Sequence, residues 1–149
     1  MSPAENAPST TDVAHALEAV VTWLRDSREP VGISKSSLST LARLDVVGPL
    51  RITDLAEREG LTQPGMTTLV NRLVQTGLAE RRADPGDGRA VLVALTSDGL
   101  ARLTEYRVSR TELISARLEQ LDPESRSALA KAVPALHRFV DDSHVTEEK

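Results

Sequence analysis

Residues 51–77 read RITDLAEREGLTQPGMTTLVNRLVQTG, and they hold the signals for two helices with a very short connection. We predict that Thr53 caps the first helix and that Gly60 ends it in a left-handed conformation. Thr62 is predicted to cap the second helix, whose first turn tolerates a proline, and Gly77 is predicted to close it. Two short helices joined by a three-residue turn that contains glycine are the sequence form of a helix-turn-helix.

The second predicted helix has an apolar face and an opposite face that lacks acidic residues. At about 100° per residue, apolar side chains from Met66 to Val74 cluster on one side, which we assign to the core. No Asp or Glu occurs between Thr62 and Ala79, although the chain holds 22 of them. Amides can pair with adenine, arginine with guanine, and threonine methyls with thymine. We therefore expect the opposite face to bind DNA through Gln63, Pro64, Thr67, Thr68, Asn71 and Arg72.

A predicted β-hairpin follows this helix directly. Residues 78–83 and 90–96 indicate two strands, and the turn-forming sequence DPGDGR joins them. A hairpin placed after a recognition helix is typical of a wing. A polar helix face, taken alone, is more often only a solvated surface. The hairpin after this helix favours the interpretation that the face binds DNA.

The cations of the hairpin suggest how a wing would use them. A narrow minor groove attracts inserted arginine, so we expect Arg89 to enter it. Asp87 lies two residues away across the tight turn, and we expect its carboxylate to hold the Arg89 guanidinium. Arg81 and Arg82 alternate in direction, so one of them can face a phosphate, and we assign that role to Arg82. The alternative is an ordinary charged hairpin tip with a local ion pair.

Four further helices are predicted around this core. The first starts at Asp12 and carries one apolar stripe, and Ser34 caps the second, which stops at Gly48. Thr96 can cap a long helix after the hairpin, and Asp122 can cap the last helix, with a proline at its first position.

The motifs just described closely resemble the winged-helix core of MarR-type transcriptional regulators. The resemblance rests on LAEREGLTQPGMTTLVNRL and GLAERR, on the Asp-Gly-Arg at 87–89, and on LTSDG at 95–99. It is strong over residues 48–100 and consistent in order and length over 12–142. At two positions the chain differs from a common family pattern. Members of the family often have Asp at the position of Asn71 and Arg at the position of Thr68. These differences bear on which bases are preferred.

The resemblance implies a mainly α fold with a small β-hairpin wing, a winged helix-turn-helix flanked by N- and C-terminal dimerisation helices. It implies a homodimer that binds pseudo-palindromic double-stranded DNA, acts as a repressor, and is released by a small aromatic or anionic ligand. The predicted domain spans 11–142, with the DNA-binding core at 48–96 and dimerisation helices at 11–30 and 97–142. Residues 1–10 are predicted to be a disordered arm and 143–149 a flexible tail.

Composition excludes several other classes of protein. The chain has 149 residues and no Cys, which excludes disulfides, thiolate metal sites and cysteine nucleophiles. It has no apolar run long enough to span a membrane and no signal peptide at its start, so we expect a cytoplasmic protein without a membrane partner. The net charge of −4 does not exclude a local basic patch, because salt screens distant acids.

An enzyme and a metal site are not expected, and no cofactor is predicted. The three histidines, His15, His137 and His144, have no ligand partner at helical spacing, and neither a phosphate-binding loop nor a nucleophile elbow occurs. Two alternatives to a ligand-controlled regulator stay open: a winged-helix protein-interaction module and a ligand-independent DNA binder. Trp23, Arg25, Arg43 and Tyr106 are conceivable pocket residues, although an aromatic side chain on a helix more often only packs.

Overall fold

The computed structural model describes residues 8–27 and 32–141, which form helices around a small antiparallel sheet. In chain order the elements are α1 (Thr10–Asp26), α2 (Lys35–Val47), β1 (Leu50–Arg51), α3 (Ile52–Arg58), α4 (Gln63–Gln75), β2 (Ala79–Asp84), β3 (Asp87–Leu95), α5 (Ser97–Glu119) and α6 (Pro123–Asp141). The predicted fold class is confirmed, since α3 and α4 form the helix-turn-helix and the β2–β3 hairpin follows it as a wing.

The start of α1 lies earlier than predicted. The hydroxyl of Ser9 accepts a hydrogen bond from the Asp12 N–H at 3.2 Å, and the Asp12 carboxylate accepts from the Ser9 N–H at 2.8 Å. This reciprocal capping box fixes the first turn, so the predicted disordered arm was wrong at Ser9 and Thr10. Residues 1–7 and the predicted tail at 143–149 lie outside the described residues.

The start of α3 also differs from the prediction. Arg51 occupies the N-cap position without a side-chain hydrogen bond, and Thr53 lies inside the first turn, so the predicted Thr53 cap was wrong. The reason is tertiary: Leu50 and Arg51 pair with β3, and the chain turns into the helix immediately after that pairing. The other end matches the prediction, because Gly60 has a φ of +63° and ends the helix in the left-handed region.

The three strands are antiparallel in the order β1-β3-β2. β1 was not predicted. The hairpin is tighter than the predicted six-residue connection, because Asp84 already pairs with Asp87 and only Pro85 and Gly86 join the strands. Asp84 stabilises this turn, since its Oδ1 accepts a hydrogen bond from the Gly86 N–H at 2.9 Å.

One aliphatic core holds the helix-turn-helix and the sheet together. Met66, Val70 and Leu73 lie at i, i+4 and i+7 of α4 and are buried, which confirms the predicted core face. They pack with side chains from α2, α3, β3 and α5, chiefly Leu41, Leu44, Leu55, Val93 and Leu103. Burial of one face of α4 leaves its opposite face in solvent beside the wing.

Candidate nucleic-acid interface

The polar face predicted on α4 is exposed. Thr62 caps the helix, with its Oγ1 accepting a hydrogen bond from the Gly65 N–H at 3.3 Å, and Pro64 occupies the first turn, where it removes no helical hydrogen bond. Thr67 is half-buried at the edge of this face. The exposed members of the predicted set on α4 are Gln63, Pro64, Thr68, Asn71 and Arg72.

The two threonine hydroxyls on α4 are turned toward their own helix. Thr67 donates its hydroxyl proton to the Gln63 carbonyl at 2.8 Å, and Thr68 donates to the Pro64 carbonyl at 3.0 Å. Each hydroxyl proton is therefore already used. What Thr68 offers to a ligand is a methyl group and an oxygen acceptor, which suit the thymine methyl or a base amino group.

Asn71 is bound by the wing. Arg81 on β2 donates a hydrogen bond from Nη2 to the Asn71 Oδ1 at 2.7 Å. Arg81 lies opposite Val93 in the β2–β3 register, and directly opposed residues project from the same face of a sheet. Val93 is fully buried against the core, so this is the face on which α4 packs.

Arg82 projects from the opposite face of the sheet, because successive residues of a strand alternate. Its Nε donates to the Glu80 Oε1 at 2.6 Å, and the two side chains form an ion pair on the outer face of the wing. The sequence assigned the phosphate-facing role to Arg82, whereas the structure brings Arg81 to the recognition helix. Strand alternation indicates that the two arginines diverge, but only the register shows which of them faces α4.

The wing tip presents Arg89 in an exposed position. The Asp87 Oδ1 accepts a hydrogen bond from the Arg89 backbone N–H at 3.2 Å. We expected this carboxylate to hold the Arg89 guanidinium, and in the structure it holds the main chain of that residue instead. Asp87 thereby shapes the turn from which the Arg89 side chain extends.

A second contact, which no local sequence pattern predicts, ties the wing to β1. Arg51 on β1 donates a hydrogen bond from Nη2 to the Asp84 Oδ2 at 2.8 Å, and the same nitrogen lies 3.7 Å from the Asp87 Oδ2. The hydrogen bond from Arg51 lowers the pKa of the Asp84 carboxyl below its ordinary value, and the Gly86 N–H lowers it further. Asp84 in turn raises the pKa of Arg51. The two acids of the tip thus face a cation of their own chain.

A separate cavity of about 550 Å³ lies between α1, α2 and α5. Its apolar wall includes Leu24, Leu38, Leu103 and Leu113. Its lining also includes Tyr106 and four cations, and none of the described lining residues is Asp or Glu; the cations are Arg25, Lys35, Arg107 and Arg110. Of the four residues that the sequence suggested for a pocket, Arg25 and Tyr106 line this cavity, whereas Trp23 and Arg43 are not among its lining residues.

The cavity cations Arg107 and Arg110 contact neighbouring side chains. Arg110 donates a hydrogen bond from Nη1 to the Tyr106 hydroxyl at 2.5 Å, and its guanidinium carbon lies 5.8 Å from the centre of that ring. Arg107 donates to the Asp45 Oδ2 at 2.9 Å, which links α5 to α2.

The described residues contain no cluster of His, Cys, Asp and Glu side chains that could hold a metal ion. None of the helices described over residues 8–27 and 32–141 is both long and apolar enough to cross a membrane.

The amino-acid sequence of this chain is similar to sequences of known proteins. A sequence profile described as the MarR family matches residues 33–91. The HTH-type transcriptional regulator ML2140 of Mycobacterium leprae is 30% identical over 133 residues, which cover 89% of this chain and 93% of that protein. The HTH-type transcriptional repressor MdtR of Bacillus subtilis is 26% identical over 143 residues, which cover 93% and 90%.

A similar solved structure is the transcriptional regulator Tm0710 from Thermotoga maritima, with a TM-score of 0.75 and 22% identity. The superposition covers 93% of this chain and 100% of that one. The likeness therefore extends beyond the helix-turn-helix and the wing to the terminal helices.

Proposed function

Because this chain belongs to the MarR family of DNA-binding transcriptional regulators, we propose that it is a homodimeric repressor that binds a pseudo-palindromic operator. The relatives are named as transcriptional regulators, which confirms the expectation that the chain is not an enzyme. The similarity to MdtR, a named repressor, supports repression over activation.

The observation that carries the proposal is the pairing of an acid-free helix face with an arginine-bearing wing. Over residues 62–79 the chain has no Asp or Glu, and the exposed side of α4 offers amides and an arginine to base edges. Arg89 extends from the tip of the adjoining hairpin. This arrangement suits major-groove reading by α4 together with minor-groove contact by the wing. It also favours DNA over a protein partner, because a protein-interaction module has no need of an acid-free helix.

The terminal helices support the homodimer. Neither α1 nor α6 contains a buried residue, although both carry apolar stripes. On α6, Val133 and Leu136 expose 44% and 39% of their surface, and Val20 on α1 exposes 51%. Apolar stripes of this kind are covered when a second copy packs against them. A dimer would present two copies of α4 about 34–36 Å apart, one turn of DNA.

Binding-site selection from random duplexes tests the DNA-binding part directly. We expect an inverted repeat whose half-site centres lie about 10–10.5 base pairs apart. Binding of the selected site should weaken as salt rises, and Arg89→Ala should reduce the log–log salt slope by nearly one for each copy of the wing. Selection of unrelated sequences, or a slope that Arg89→Ala leaves unchanged, would contradict the proposal.

We propose further that a small aromatic anion binds in the cavity and releases the DNA. The cations Arg25 and Arg110, with no acid among the described lining residues, favour an anion, and the leucine wall favours an apolar ring. A volume of about 550 Å³ is within the usual range of small-molecule sites. The cavity lies where the dimerisation helix α1 meets α2 and α5, so a ligand that prefers one relative placement of these helices would shift the spacing of the two α4 helices.

The effector proposal is tested with matched pairs of compounds. Aromatic carboxylates should raise the thermal midpoint and weaken operator binding, whereas the corresponding neutral amides should do neither. Arg110→Met should remove the difference between acid and amide. Equal effects of acids and amides, or no effect of any acid in a broad library, would favour a ligand-independent regulator.

A further inference from the structure

The contact between Arg81 and Asn71 links the wing to the recognition helix through a single side-chain hydrogen bond. The Arg81 backbone is held by strand pairing between β2 and β3, opposite the buried Val93. Its guanidinium reaches Asn71 at 2.7 Å, on the exposed face of α4. Among the described residues, this side-chain hydrogen bond joins the predicted base-reading face to the sheet.

The bond fixes the orientation of the Asn71 amide. The carbonyl oxygen and the amino nitrogen of an asparagine lie on opposite sides of one planar group. With Oδ1 turned to the guanidinium of Arg81, Nδ2 is turned away from it and remains available as a donor. We infer that Arg81 is a positioning residue for base reading: it holds Asn71 so that the amino group, and not the carbonyl, is offered to the major groove.

The inference rests on the proposed operator binding and adds a base preference to it. A free asparagine reads adenine with both amide atoms, since its oxygen accepts from N6 and its nitrogen donates to N7. Here the guanidinium already occupies one lone pair of Oδ1, and its positive charge beside that oxygen disfavours approach of the adenine amino group, which is also a donor. A donor alone suits guanine, which presents N7 and O6 as adjacent acceptors. Asn71 should therefore prefer guanine to adenine at its position in each half-site.

The test is binding-site selection with the full chain and four variants. The first, Asn71→Ala, identifies the single base position that loses its preference, and the other three are scored at that position. Arg81→Met removes the donor and keeps an unbranched apolar stem. Arg82→Met is the matched control, because it removes the same charge from the next residue of the strand, where the guanidinium is bound to Glu80 instead. Arg81→Lys restores a donor that can reach the same oxygen.

We expect the wild type and Arg82→Met to select guanine at that position. Arg81→Met should shift the guanine-to-adenine ratio by about tenfold toward adenine, and Arg81→Lys should restore most of the original ratio. Loss of one cation alone would weaken binding to all sequences equally and leave the ratio unchanged. Circular dichroism melts of each variant separate a change in reading from a change in folding.

An unchanged ratio in Arg81→Met, with selection otherwise intact, would overturn the positioning role and leave the proposed function standing. The same holds if the wild type selects adenine at this position. If the wild type selects no sequence at all, the proposed function itself fails, so the two failures are distinguishable.

Discussion

At the scale of single residues, Asp87 is the acid at the wing tip whose role the structure redefines. One of its carboxylate oxygens accepts a hydrogen bond from the Arg89 N–H at 3.2 Å, and the other lies 3.7 Å from the Arg51 Nη2. Both contacts order the turn, and neither engages the guanidinium of Arg89. Asp87 should therefore help DNA binding by fixing the direction in which Arg89 leaves the main chain.

This role gives a prediction whose sign opposes simple electrostatics. Asp87→Ala removes a negative charge from the proposed DNA face, which by itself should tighten binding. Loss of the turn hydrogen bond should instead weaken operator binding by about 1 kcal/mol, or roughly fivefold. Fluorescence anisotropy titrations at physiological salt measure the change. Asp87→Asn is the control, because it keeps an acceptor oxygen and should bind at least as well as the wild type. Tighter binding by Asp87→Ala would refute the ordering role.

At the scale of elements, the wing is attached to β1 by the Arg51–Asp84 contact at 2.8 Å. This attachment has a pH dependence. The Arg51 hydrogen bond lowers the pKa of Asp84 in the folded protein below the ordinary value of 3.8. A carboxyl with a lowered pKa stabilises the folded state above its unfolded pKa, and this stabilisation is lost as the pH falls through the folded-state pKa.

We predict that Asp84→Asn lowers the thermal midpoint at pH 7 and that the difference from the wild type narrows below about pH 4. The comparison is made by circular dichroism melts between pH 7 and pH 2.5. Asp98→Asn serves as a control, because Asp98 lies in the first turn of α5, away from the hairpin tip. If the thermal midpoints of the wild type and Asp84→Asn differ by the same amount at every pH in this range, the role of the charged pair is contradicted.

The junction between the wing and α5 depends on a glycine. A Cβ added at Gly99 would lie 2.0 Å from the Leu78 carbonyl oxygen, a distance that main-chain atoms cannot accommodate without a shift of α5 or of the preceding loop. Gly99→Ala should therefore destabilise the protein by about 1–3 kcal/mol. Gly88→Ala is the matched control, since nothing lies within 4 Å of an added Cβ there. Urea unfolding measures the free energy of unfolding of both variants. Equal values for Gly99→Ala and Gly88→Ala would show that the packing at Gly99 is looser than described.

At the scale of the whole molecule, the terminal helices α1 and α6 bury none of their residues within one chain. The core instead lies between α2, α3, α4, the sheet and the start of α5. Helices that carry apolar stripes without covering them depend on another surface for burial. We therefore expect the terminal helices to be stable only in a dimer. We also expect only the dimer to bind the operator.

Val133→Glu tests this expectation at the middle of α6, where the side chain is 44% exposed. A charge at a two-fold interface is buried twice, once from each copy, and each has no partner, so we predict dissociation to a monomer at micromolar concentration and loss of operator affinity. Val46→Glu is the control, because Val46 on α2 is 75% exposed and lies outside α1 and α6. Sedimentation equilibrium reports the mass of each variant. A wild-type monomer, or a dimer that tolerates Val133→Glu, would exclude this interface.

The local chemistry of the sequence determined the helices, several of their caps and the two faces of α4. Thr62, Thr96 and Asp122 cap the helices that follow them, and Gly77 has the left-handed φ of +75° that ends the turn after α4. These features depend on neighbours within three or four residues, so the pattern of the chain is enough to predict them. The polar, acid-free face of α4 follows equally from helical periodicity.

How distant segments meet depended on the packing of the whole chain. The pairing of Leu50 and Arg51 with β3 displaced the predicted Thr53 cap, and it placed Arg51 beside Asp84, 33 positions along the chain. The choice between Arg81 and Arg82 at Asn71 depended on the register of β2 against β3. The cavity likewise exists only because α1, α2 and α5 pack around it. Strand register and helix packing are set by contacts between segments far apart in sequence, and no local pattern of residues specifies them.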